Sequence, residues 1–432
     1  MEWRELKPTS LDLWQAFYLR TSNVLRSMKI LFLSTWFPYP LDTGARIRVH
    51  HLLKALANHH DVHLISFMKE AKGENLIPTL HDWGIEVEII RGDPYWRDPS
   101  KALIGHLSLK PRDVVIRYSE EMARLVSQAT SRHQFDVIIA SFTDTAPYAI
   151  AMQGIPRILE EHNFLTSWME ERFRSQSSPP KRAANWVTWQ KCRRYERWLY
   201  PQFDACTMVS EKDRNAVRAN IPQYQGPLEV IPNGVDTGRN RPGLADPQPN
   251  TLVFNGALTY YANADAMRFF LEEVLPLIHT RRPGVRLDIT GRTDGVDLSK
   301  LPLDGNVTLT GYLDDVRPTV AGSWACVVPL RVGGGTRLKI LEAMALGTPV
   351  VSTTKGAEGL EVTPEHDILI ADDPNSFAEQ TIRLLNEPEL RQHLSSNGRK
   401  LVEQKYDWQQ IGQRFCDFVE LASQLATRKV NQ

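Results

Sequence analysis

Residues 333–353, GGGTRLKILEAMALGTPVVST, constrain this chain more than any other stretch. Three glycines precede a pattern in which Leu338, Leu341, Met344 and Ala345 recur at helical spacing. Gly347 stands at the expected C-terminal stop, Pro349 follows, and the next residues read as a buried strand. A glycine loop feeding a helix N-terminus offers free backbone N–H groups and a positive dipole end, a setting that suits a diphosphate. Arg337 and Lys339 fall in the predicted first turn, where cations oppose the helix dipole but help beside an anion. Glu342, flanked by the apolar Leu341, Ala343 and Met344, is placed to accept hydrogen bonds from ribose hydroxyls. Without a ligand the same residues make an ordinary loop, helix and strand. The cations and the enclosed acid favour the ligand site.

The rest of the chain repeats this grammar. Residues 29–35, KILFLST, form a largely apolar run suited to a central parallel strand buried on both faces. A loop, an amphipathic helix and a second strand at 62–67 complete a β-α-β unit, whose right-handed crossover places the strands side by side. Further strands are expected at 87–90, 137–140, 158–159 and 205–209. In the second half, strands at 251–255, 286–290, 307–310, 325–329 and 349–352 alternate with helices near 264–278, 316–321 and 336–346. The fold class is therefore α/β, with two doubly wound Rossmann-like domains whose ligands lie at the C-terminal sheet edges. The expected boundaries are an extension at 1–27 ahead of Met28, a first domain at 28–235, a polar, Pro-rich linker at 236–250, a second domain at 251–405, and a helical segment at 406–432.

Several segments carry a family resemblance: FNGALTYYANADAMRFF, VTLTGYLDDVRP, the glycine-helix block and the closing YDW. From about Lys29 to about Phe418 the chain resembles glycosyltransferase family 4, with the more specific motifs in the second half. The resemblance implies a GT-B fold, two Rossmann-like domains facing a central cleft. It also implies retaining transfer of a sugar from a nucleotide-diphospho-sugar, with no cofactor and no required metal. The chain has no Asp-x-Asp metal motif. Acceptors of glycan or lipid-linked type, on the amino-terminal side, follow from the same resemblance, as does a final helix that crosses back onto the first domain.

Glu342 matches the second acid of the family's Glu-x7-Glu signature, which holds the donor ribose, while the first acid's position is Gly334. Backbone N–H groups of Gly333, Gly334 and Gly335, with Thr336, are expected to contact the donor there instead. The family often keeps an Arg and a Lys after the first strand of the second domain, but residues 256–267 contain no basic residue. Arg337 and Lys339 are the expected replacements as catalytic cations. Gly44, in DTGAR, resembles the glycine loop that closes on the donor phosphates, with Arg46 able to add charge. His162 lies where the family keeps a histidine near the transferred sugar, and is expected to be catalytic. Asn255, Gly256, Gly291 and Arg292 end strands where a nucleotide would lie, and Tyr312 and Leu313 stand where the family packs the base; both of the last two also suit a core.

Composition excludes more than it proves. Lysine plus arginine equals aspartate plus glutamate at 51 each, so no global field points to nucleic acid. Four widely spaced cysteines form neither a metal knuckle nor a disulfide framework, and reduced thiols in a cytoplasm are the simplest expectation. No apolar run approaches the ~18 residues of a membrane span. Residues 171–200 hold eight basic residues against Glu171 and Glu196, interleaved with Trp186, Trp189 and Trp198. That mixture suits an anionic membrane surface, so a peripheral position on the inner membrane face is expected. A solvated helix packed through its tryptophans is the competing expectation. Two other functions stay open at this level: a nucleotide-sugar epimerase of the same fold, and a nucleotide-sugar-binding protein without catalysis.

Overall fold

A computed structural model describes residues 27–69, 71–93, 95 and 99–430, so all but the last residue of the extension expected at 1–27 lies outside the described residues. The first sheet contains β1 (Lys29–Ser34), β2 (Asp61–Met68), β3 (Glu86–Arg91), β4 (Val137–Ser141), β5 (Arg157–Glu160), β6 (Ala205–Met208) and β7 (Leu228–Val230). Every pairing is parallel, in the order β3-β2-β1-β4-β5-β6-β7. The strand order reverses between β1 and β4, which opens a crevice at their C-terminal ends. Along β1, Ile30 and Phe32 enter one core while Leu31 and Leu33 enter the other, as a strand covered on both faces requires.

The second sheet contains β8 (Gln248–Asn255), β9 (Arg286–Thr290), β10 (Val307–Gly311), β11 (Ser323–Val328), β12 (Val350–Ser352) and β13 (Leu369–Ile370), in the parallel order β10-β9-β8-β11-β12-β13. Its switch point lies between β8 and β11. Strands β7 and β13 are too short, at three and two residues, to leave a periodic signal.

Three details differ from the sequence expectation. The linker ends before Asn250, because Gln248 already pairs beside Ser323 in the sheet. The helix after the glycine loop spans Leu338–Ala345, with Arg337 as its N-cap residue, so Arg337 stands outside the first turn. The helix expected at 264–278 begins at Tyr261 and is interrupted by a π-helical segment, Phe270–Val274, ahead of Pro276, whose missing N–H interrupts regular α-helical bonding.

The final helix, Trp408–Val430, places Ile411, Phe415, Phe418 and Val419 in the same core as Ile30, Leu53 and Ile139 of the first sheet. Val235 N–H donates to the Tyr406 carbonyl at 2.8 Å, and Trp408 N–H returns a bond to Val235 at 3.2 Å. The outgoing and returning chains thus pair side by side at the crossover. Arg399 fastens it further, donating to the Thr237 carbonyl at 3.0 Å and the Ala345 carbonyl at 2.6 Å. No helix among the described residues is long and apolar enough to cross a membrane.

Candidate active site

The glycine loop leaves β11 and enters the helix Leu338–Ala345 at the C-terminal edge of the second sheet. Gly333 has φ +99°, and a Cβ there would lie 2.9 Å from the Ala262 methyl. Only glycine lets the loop take this path against the helix Tyr261–Phe269.

Arg337 holds the loop rather than reaching into open space. Its guanidinium donates to the carbonyls of Gly333 at 2.8 Å, Gly334 at 3.1 Å and Lys355 at 3.1 Å, and the residue is buried. Three of its five N–H donors thus fix backbone carbonyls of the loop and of Lys355.

Lys339 is placed differently. Its Nζ donates to Asn263 Oδ1 at 2.8 Å, lies 4.1 Å from the centre of the Phe254 ring, and fills the space beside Gly256, where a Cβ would lie 2.6 Å from it. Three residues along, Glu342 accepts from Asn255 Nδ2 at 2.7 Å, while Thr290 Oγ1 donates to the other amide atom, Asn255 Oδ1, at 3.2 Å. The two bonds fix which way the amide faces. Lys339 and Glu342 are half-buried, yet protein surrounds their charged ends closely. Burial lowers the Lys339 amine to about 7 and raises the Glu342 carboxyl to about 7. Desolvation outweighs their mutual attraction, so both stand ready to respond to an incoming charge or hydroxyl.

Gly291, at φ +99°, lies against the backbone of Gly256 and Ala257, and Arg292 carries its guanidinium 5.2 Å from the centre of the Tyr312 ring. Tyr312 is 61% exposed, which removes the core alternative for it; Leu313 is half-buried beside it. Asn255, Gly256, Gly291, Arg292, Tyr312 and Leu313 therefore gather at the ends of β8, β9 and β10, next to the helix of Lys339 and Glu342.

Across the cleft, Gly44 begins the helix Gly44–Ala57, and a methyl group there would lie 3.3 Å from Leu338. Arg46 pairs with Asp42 at 2.9 Å on the surface. His162 follows β5 and is buried, stacked on Trp36 with ring centres 5.1 Å apart. Its Nε2 lies 3.1 Å from Glu160 Oε2 and 3.3 Å from Ser141 Oγ. Burial alone would raise the Glu160 carboxyl, but Arg48 and His162 hold it well below the usual carboxylate range.

Arg48 escaped the sequence reading. It is fully buried, and its Nε donates to Glu160 Oε1 at 2.6 Å. Its Nη1 donates to Asn233 Oδ1 at 3.1 Å, and Asn233 Nδ2 donates to Thr336 Oγ1 at 2.8 Å. A continuous polar path thus runs from His162 in the first domain to the glycine loop of the second. The missed signal was a charge four residues before Leu52 on the helix face that enters the core.

Between the domains lies a pocket of about 80 Å³, lined by Asn163, Trp168, Ser210, Gly334, Gly335 and Thr336 among others. Two ion pairs cross it: Lys355 with Glu171 at 2.7 Å and Lys212 with Glu358 at 2.5 Å. A larger hollow of about 730 Å³ lies at the crossover, beside His51, Asp236 and Trp408, away from the sheet edges.

Among the described residues, His63, Glu86 and His133 form a group that could hold a metal. It lies at the opposite strand ends, and Lys29 Nζ stands 2.9 Å from His133 Nδ1. An ammonium donating there leaves the proton on Nε2, which opposes ligation.

Residues 43–239 match the profile of Glycosyltransferase Family 4, and residues 249–387 match that of Glycosyl transferases group 1. A GDP-mannose-dependent monoacylated alpha-(1-6)-phosphatidylinositol monomannoside mannosyltransferase of Corynebacterium glutamicum is 26% identical over 261 residues, 54% of this chain and 67% of that one. A glycogen synthase of Mycobacterium tuberculosis is 24% identical over 407 residues, 89% of this chain and 92% of that one. Among solved structures, Anabaena Alr3699/HepE in complex with UDP and glucose superposes with a TM-score of 0.61 at 18% identity, covering 91% of this chain and 99% of that one. Sucrose-phosphate synthase of Thermosynechococcus elongatus gives 0.65 at 17% identity, covering 93% and 100%.

Proposed function

The chain belongs to glycosyltransferase family 4 and is a GT-B glycosyltransferase, and on that premise we propose that it moves a sugar from a nucleotide-diphospho-sugar to a glycan or lipid-linked acceptor with retention of configuration. The observation that carries this reading is the Asn255–Glu342 bond at the end of β8, with Lys339 one helical turn from the acid.

In this reading the donor lies along the C-terminal edge of the second sheet. Glu342, oriented by Asn255, accepts from the ribose hydroxyls. Lys339, its amine lowered to about 7 by burial, becomes fully charged as the diphosphate arrives and balances the charge that develops on the leaving nucleotide. Preorganised donors of that kind are typically the largest single catalytic term. The glycine-loop N–H groups, braced by Arg337, contact the donor where the family signature would place an acid. Tyr312 and Leu313 take the base, with Arg292 against the tyrosine face. His162, held by Glu160 and Ser141, faces the transferred sugar from the first domain, and Gly44 closes on the phosphates. No metal enters this account.

Two supports come from relatives: the Corynebacterium protein is described as GDP-mannose-dependent, and the Anabaena structure contains UDP and glucose. The acceptor in the Corynebacterium name is itself a lipid-linked sugar, which supports a lipid-linked acceptor here. Product analysis tests the proposal. Transfer yields free nucleoside diphosphate and a new glycoside whose anomeric configuration, read by NMR, equals that of the donor. Isomerised nucleotide sugar without release, or an inverted glycoside, contradicts it.

A further inference from the structure

Four large aliphatic side chains stand in water on one short stretch: Leu103 is 68% exposed, Ile104 60%, Leu107 79% and Leu109 64%. Three belong to the helix Pro99–Leu107, and Leu109 follows it. Isolated exposed leucines are ordinary, but a ridge of four is not.

The ridge adjoins the basic helix Pro179–Leu199. Lys191 Nζ donates to the His106 carbonyl at 2.8 Å, and Lys110 Nζ lies 5.8 Å from the centre of the Trp198 ring. Val187, Arg194 and Trp198 share one stripe of that helix and are all exposed. Residues 99–112 and 179–199 together carry nine lysines and arginines and a single acid, Glu196. Glu196 is fully buried, accepting from the N–H groups of Leu165 and Thr166 that open the helix Leu165–Ser175. The next acid along, Asp113, pairs with Arg117. Among the described residues of these two stretches, water therefore meets an apolar ridge and cations and no free carboxylate.

The geometry also redraws the patch expected from residues 171–200. Glu171 turns to the cleft, Arg174 pairs with Glu170, and Trp189 stacks on Phe173 with ring centres 5.6 Å apart. That stack joins the basic helix to the helix of Trp168, which lines the cleft. The surface thus adjoins the helix that lines the cleft.

We infer that residues 101–112 and the stripe 187–198 form one docking surface for an anionic bilayer, with the Leu103–Leu109 ridge as its inserting edge. This rests on the glycosyltransferase reading and specifies its acceptor as one presented from a membrane. A bilayer uses both features: the aliphatic ridge enters the headgroup boundary and the cations meet anionic lipid. A second copy would bring cations against cations, and a nucleic acid would leave the leucines unused.

The test is sedimentation of the full chain with phosphatidylcholine vesicles, with or without phosphatidylglycerol, beside the variants Leu103→Ser/Leu107→Ser and Lys110→Glu/Arg194→Glu. All four positions are solvent-exposed, and an unchanged melting temperature checks the fold. The account expects binding to the anionic vesicles only, weakened by salt and reduced about tenfold or more in each double variant. Equal recovery with and without anionic vesicles overturns it. So does undiminished binding by the leucine variant, preference for a DNA duplex, or a dimer that dissociates on these substitutions. The shift in melting temperature with UDP or GDP, read on the same samples, reports the donor site separately, so loss of one property is distinguishable from loss of the other.

Discussion

Asn233 donates its side-chain amide to Thr336 Oγ1 at 2.8 Å, joining the end of the first domain to the glycine loop of the second. The same asparagine accepts from Arg48, whose guanidinium is fully buried against Glu160. The contact between the halves is thus continuous with a buried ion pair and, through Glu160, with His162.

Replacing Arg48 by methionine leaves Glu160 buried without its main countercharge. Breaking such a pair costs about 3–5 kcal/mol, a fall on the order of 10 °C in the melting temperature of the first domain. Arg48→Lys keeps the charge but not the fork that reaches both Glu160 and Asn233. It is expected to recover part of the melting temperature while turnover stays low, as calorimetry and a turnover assay would show. Equal recovery of both would make the Asn233 link irrelevant.

The Glu342 carboxyl titrates at about 7 when folded, against an ordinary value of 4.5. Its folded form holds the proton more tightly, so this contribution to stability is fully present below about pH 4.5 and is lost as pH rises to about 7. Glu342→Gln cannot lose a proton. Its melting temperature should therefore gain on the wild type across that window, and a constant difference between the two curves would contradict the assignment.

Lys339 is lowered to about 7 by burial. A nucleoside diphosphate restores the charged form, so donor binding should take up a proton and weaken as pH rises above about 7. Calorimetric titration in buffers of different ionisation enthalpy measures the proton directly. Lys339→Met should abolish the uptake and lower turnover by about 10²–10³-fold.

The ion pairs Glu171–Lys355 and Lys212–Glu358 join the two domains across the cleft. Partly exposed pairs are worth about 0–1 kcal/mol each. Glu171→Gln/Lys212→Met is therefore expected to open the ligand-free protein rather than unfold it. Small-angle scattering should give a larger radius of gyration than the wild type without ligand, and donor should remove the difference. High salt should mimic the substitutions.

Much of this architecture could be read from the chain because parallel strands buried on both faces leave continuous apolar runs, as at residues 29–35. The glycine loop and the helix that carries Lys339 and Glu342 were legible because glycines ahead of an apolar period mark a loop-to-helix transition. The bonds of Arg337 to the loop were not legible, because a cation beside glycines serves either an anion or the loop's own carbonyls, and spacing does not separate the two. Arg48 and Asn233 were invisible as a pair, since their partnership spans 185 positions and depends on how two domains meet. The ridge at Leu103 was missed because an exposed leucine and a buried one look alike in sequence. Strands β7 and β13 gave no period to detect.

The measurement that bears most directly on the central claim is thermal unfolding against UDP-, GDP- and ADP-sugars, with Glu342→Ala alongside. A donor at a hundred times its dissociation constant stabilises the native state by about 2.7 kcal/mol. The account predicts that one nucleotide series raises the melting temperature of the wild type and leaves the variant nearly unmoved. A series that shifts both proteins equally would place the nucleotide away from Glu342 and contradict the site described above.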